Sequence, residues 1–126
     1  MPPGSPAALS RSVTVLDVVD LGMRYLVFRD WREPGPRTPI HLHPYGGSTC
    51  VLSGQMTLYR EGADPQVADS GECYWMPAGV PVAGVNSGTE TALMVEQFAV
   101  PPGQPFWYII EPGQEHIADE FGANDH

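Results

Sequence analysis

Glycine and proline recur every few residues along this chain, fourteen of each, and between them no apolar run keeps a helical period long enough to build a helix. What survives the punctuation is a series of short segments at 13–18, 23–30, 39–43, 48–52, 55–60, 72–76, 80–85 and 92–100, each bounded by Gly, Pro, Asp or Ser. Short strands at that spacing predict an all-β barrel or sandwich. At 126 residues the chain suits one such domain and is too short for two independent cores.

Charge narrows the partners. Six arginines and no lysine stand against fifteen acidic residues, for a formal net charge of -9, which repels phosphate backbones and anionic headgroups. Nucleic acid and membrane surfaces are therefore not expected as partners. The first ten residues carry no basic segment followed by an apolar one, and no window is long and apolar enough to span a bilayer, so the expected address is cytoplasmic. Under that expectation Cys50 and Cys73 read as free, buried thiols.

Residues 1–11, rich in Pro, Ser and Ala, are expected to form a flexible arm, and 111–126 an acidic tail. Between them, the aromatic run Phe106-Trp107-Tyr108-Ile109-Ile110 should pack on the barrel or on a dimer mate, since so much exposed aromatic surface is a liability.

The chemistry begins at His41-Leu42-His43, followed by Pro44-Tyr45-Gly46-Gly47. In an extended strand residues two apart point to one face, so both imidazoles aim at one spot, and neutral imidazole is the commonest metal ligand. This is half of a metal site.

Two stretches extend the pattern. Five residues separate Gly35 from His41, and Gly54 closes the same segment after Val51-Leu52-Ser53; further on, Gly71, Pro77, Gly79 and Asn86 keep a second fixed spacing. Over 35–86 the chain resembles the cupin family, whose two motifs have this framework. The resemblance implies a double-stranded β-helix, or jelly-roll barrel, over 12–110, a homodimer, and a divalent transition metal (Fe, Mn, Zn or Ni), or no metal in some members. It also exposes two departures: Gly47 stands where the family carries its glutamate ligand, and Val82 where it carries its third histidine.

Glu96 is the best spare carboxylate, because in the apolar segment 92–98 alternation turns either Glu96 or Gln97 inward. The candidate metal ligands are thus His41, His43 and Glu96. Some cupin isomerases work without metal through a histidine base and a tyrosine acid, a role that His41 or His43 with Tyr45 would imitate. Thr49, Val51, Met56, Leu58, Met76 and Val82 are expected to line the pocket, and one of Tyr74 and Trp75 to face inward. Such a lining suits a small, partly apolar organic molecule. No phosphate-binding glycine loop is present, Arg60 is the candidate for an anion contact or for simple exposure, and His116 and His126 are expected in solvent. Two functions follow: a metal-dependent, dioxygenase-like or isomerase-type cupin acting on a small organic molecule, or a metal-free cupin that binds such a ligand without catalysis.

Overall fold

A computed structural model describes residues 2–117. Ten strands follow in chain order: β1 (Arg11–Asp20), β2 (Met23–Arg32), β3 (His41–Leu42), β4 (Gly47–Ser53), β5 (Gln55–Arg60), β6 (Gln66–Asp69), β7 (Cys73–Met76), β8 (Val82–Asn86), β9 (Ala92–Val100) and β10 (Tyr108–Ile109). They form two five-stranded sheets, ordered β1-β2-β9-β4-β7 and β10-β3-β8-β5-β6, with antiparallel pairing throughout. The fold is the expected all-β jelly roll.

Turn chemistry sets the register. Leu21 and Gly22 both adopt positive φ, 49° and 77°, the two-residue hairpin whose twist matches that of the flanking strands. Gly54, with φ 86°, closes the β4–β5 hairpin. Strands β6 and β10 were not predicted: β6 is four residues between polar turns, and β10 is two residues inside the aromatic run.

The core follows period-two alternation. On β2, Leu26, Phe28, Asp30 and Arg32 are buried; on β9, Ala92, Met94, Phe98 and Val100 are, with Glu96 in the same phase. Phe106 and Trp107 join this core, so the first part of the aromatic run packs on its own barrel.

The arm and the start of the tail are seated against the barrel. Arg37 N–H donates to the Ser5 carbonyl at 3.0 Å, Ala7 N–H to the Arg37 carbonyl at 2.9 Å, and Ser10 N–H to the Trp31 carbonyl at 3.0 Å. The expected mobile arm thus finds backbone partners in this structure. In the tail, Glu111 accepts from the Arg37 guanidinium and from Ile40 N–H, and Ile117 is buried. Residues 118–126, including His126, lie outside the described residues.

The cysteines correct one expectation. Cys50 and Cys73 are direct partners across the β4–β7 ladder and form a disulfide rather than two free thiols, because that register sets their Cβ atoms side by side.

Candidate functional site

His41 and His43 are both buried. His41 Nδ1–H donates to the Pro39 carbonyl at 2.7 Å, and His43 Nδ1–H to the Phe106 carbonyl at 3.0 Å. A carbonyl only accepts, so each Nδ1 carries the proton and each Nε2 keeps a lone pair. The rings stand edge to face, 4.9 Å apart. Burial lowers the pKa of His41 to about 4 and that of His43 to about 3, helped by Arg32 at His41 and by His41 at His43. Both are neutral bases at pH 7, and His43 Nε2 is buried with no hydrogen-bond partner among the described residues.

A second polar group faces them from the β1-β2-β9-β4-β7 sheet, the larger of the two because its strands are longer. Glu96 points inward from β9 and accepts from Thr49 Oγ1 at 3.3 Å. Asp30, on β2, accepts from Ser12 Oγ at 2.5 Å. The two carboxyl groups lie close enough to perturb each other. Burial raises the pKa of both, that of Glu96 well above the usual carboxylate range with further help from Asp30. Two like-charged carboxylates this close disfavour each other's ionisation, so the two titrate as one coupled pair. Tyr74 lies buried against this network, its hydroxyl pushed up by burial and by Glu96. Arg32 supplies the positive charge, with its pKa lowered by the same burial.

Arg32, His41, His43 and Glu96 line a cavity of about 70 Å³, with Phe28, Phe106 and Trp107 as aromatic faces. Ala7, Ala8 and Leu9 of the arm complete it. The result is a small, partly open space, more apolar than polar, with polar groups converging on it from both sheets, room for a ligand of only a few atoms.

The Cupin domain family matches residues 32–98, more than half of the chain. The chain belongs to the cupin family. Among solved structures, this cupin superposes on an uncharacterised conserved protein with a double-stranded β-helix domain from Klebsiella pneumoniae, with TM-score 0.62 and 24% identity over 88% of this chain and 90% of that one. Oxalate oxidase in complex with the substrate analogue glycolate gives TM-score 0.62 and 24% identity, covering 79% of this chain and 55% of that one. The DMSP lyase DddQ from Ruegeria pomeroyi gives 0.61 and 18%, covering 71% and 44%. The cupin spans about half the length of these two enzymes, and likeness at such identities carries the fold alone. No curated protein sequence matches it.

Whether this cupin's residues fit a divalent metal turns on Gly47. A Cβ added there would stand 2.5 Å from the Phe98 ring, and that ring stacks on His43 with centroids 4.8 Å apart. The space beside the histidines into which a glutamate ligand would grow is filled by an aromatic ring. Val82, in the third-histidine position, is the direct β-ladder partner of His41. Among the described residues no group of three or more His, Cys, Asp or Glu side chains is placed to hold a metal ion. Two imidazoles alone are too few donors for the three- or four-ligand shell a transition metal takes in protein sites. The donor set does not fit a metal centre.

The other expected site residues divide. Glu96 and Met56 line the cavity with the histidines. Thr49 meets it through Glu96, while Val51, Leu58 and Met76 belong to the packed core. Val82 is buried but lines a shallow outer groove with Tyr59 and Arg60. Tyr45 is 42% exposed and lines a separate surface groove beside Trp75, so it is not brought together with the imidazoles. Tyr74 faces in and Trp75 out. Arg60 donates to the Asp64 carbonyl at 3.0 Å, away from the cavity, and His116 is exposed. Asp30, Arg32, Phe98 and Trp107 were missed. The phase of Leu26 and Phe28 already places Asp30 and Arg32 on the inner face of β2, which was the available signal.

Proposed function

We propose that this cupin binds a small organic molecule in the cavity between its sheets without a metal ion and without turnover. The observation that carries this reading is Phe98, whose ring fills the glutamate-ligand position opposite Gly47 and stacks on His43. Locked as Nδ1–H tautomers, the imidazoles offer lone pairs for a ligand's donor groups, and the aromatic faces accept its apolar body. Oxygenase chemistry on His41, His43 and Glu96 lacks its donor set, and the histidine-base, tyrosine-acid arrangement lacks its acid because Tyr45 lies outside. The test is metal analysis of untagged protein beside the variant carrying His41→Ala and His43→Ala. Background metal in both is expected. One equivalent of Fe, Mn, Zn or Ni in the wild type, lost in the variant, would overturn the reading.

Two further features belong to it. Leu16 and Val18 of β1 are exposed and line a surface groove with Tyr25, Tyr45 and Trp75, an apolar surface that a homodimer would cover. Light scattering at the mass of one chain would refute that assembly. No helix among the described residues is long and apolar enough to cross a membrane. The disulfide favours an oxidising compartment over the expected cytoplasmic one, which thiol trapping at the moment of lysis checks.

A further inference from the structure

Two arginines are buried in this barrel, and the chain treats them differently. Arg37 meets both carboxylate oxygens of Glu111, at 2.7 and 3.2 Å, the fork geometry that best neutralises a guanidinium. Arg32 is 1% exposed and lines the cavity, yet no carboxylate among the described residues lies within 4.0 Å of it. Its hydrogen bonds run to two backbone carbonyls, that of Pro36 at 3.4 Å and that of Ala7 at 3.3 Å, both long for N–H to O. Its Nε is buried without a partner. The Asp30 and Glu96 carboxyl groups answer its charge only from beyond contact distance, so its terminal nitrogens keep donor capacity that an anion placed in the cavity would satisfy.

We infer that the ligand of this cavity is a short-chain monocarboxylate, about two to four carbons long, whose carboxylate pairs with the Arg32 guanidinium and whose apolar end lies against Phe28, Phe106 and Trp107. The inference rests on the reading of the cavity as a ligand site and names the ligand's class. Size comes from the volume: about 70 Å³ is less than half of the roughly 150 Å³ that admits benzene. Charge comes from the surroundings, since the Glu96 carboxyl group lines the cavity with Asp30 behind it and the chain carries a net charge of -9. A second carboxylate on the ligand would meet repulsion both on approach and inside. The lone pair on His43 Nε2 suits a hydroxyl on the acid, so lactate should bind more tightly than propionate.

The probes are propionate, its neutral isostere propionamide, lactate and succinate, titrated into untagged protein in acetate-free, low-chloride buffer. Binding is followed by the Arg32 Nε–H and Trp107 indole NMR signals and by calorimetry. Propionate is expected to saturate and to bind at least about tenfold more tightly than propionamide, with succinate weaker than either. Arg32→Met should bring the acid and the amide within about twofold of each other, and the comparison of the two probes on wild-type protein decides the matter should that variant fail to fold. Equal binding of acid and amide would overturn the carboxylate and leave the ligand site standing. Displacement of propionate by an equal concentration of chloride would also overturn it, as a generic anion hole. No binding of any probe, or a stoichiometric metal, would bring down the ligand reading with it.

Discussion

The two sheets furnish the cavity with different chemistry. The smaller sheet brings His41 and His43 at the family's spacing, two neutral imidazoles tied down by backbone carbonyls. The larger sheet brings Arg32 and Glu96, backed by Asp30, Thr49 and Tyr74, none of them at a family ligand position, and at that position it has Gly47 under the Phe98 ring. The motif has been kept on one wall and rebuilt on the other. A motif therefore locates a pocket, while the opposite wall decides what the pocket holds.

The comparison breaks most directly at Gly47. Gly47→Glu drives a carboxylate into the Phe98 ring and should cost about 4 kcal/mol in urea unfolding, through overpacking and an unpaired buried charge. A stable Gly47→Glu protein that gained a metal would mean that the larger sheet had merely lost a ligand. Next comes the staple on that same sheet. Opening the disulfide by Cys50→Ser with Cys73→Ser frees a loop of sequence separation 23 and should cost about 3 kcal/mol, read from the same melts.

The sheets also predict opposite pH limbs. Both histidines have folded pKa values below 6.5, so as pH falls below that value the unfolded chain takes up protons that the folded chain refuses. Stability present above pH 6.5 is then lost on the acid side, by about 2 kcal/mol per histidine down to about pH 5. Asp30 and Glu96 have raised pKa values, so their contribution is full at low pH and is lost as pH rises past the ordinary carboxylate range. His41→Gln with His43→Gln should flatten the acid limb and Glu96→Gln the alkaline one. If either variant flattened the other limb, the division between the sheets would be wrong. The smallest effect belongs to Tyr45→Phe, expected to leave stability within about 0.5 kcal/mol and ligand affinity unchanged.

The barrel was legible because its punctuation is local: Gly54 and Gly79 announce their turns, and their φ values of 86° and 72° agree. The histidine pair and an inward Glu96 were legible for the same reason, being matters of strand phase. Asp30 and Arg32 obey that phase too, but charged residues in a strand read as a solvent face until a packed partner sheet covers them. Phe98 opposite Gly47 was beyond reach, since that contact joins strands far apart in the chain. The disulfide failed to register because pairing depends on ladder register, which spacing does not reveal.

The fit of Gly47 to Phe98 also bears on how such a chain changes over generations. Adding the glutamate alone meets the ring, and removing the ring alone strips His43 of its stacking partner and opens a void. Each single change is expected to destabilise the fold, so a carboxylate at position 47 needs a compensating change at position 98. Gly47 and Phe98 are therefore coupled positions, and a substitution at either one is felt at the other.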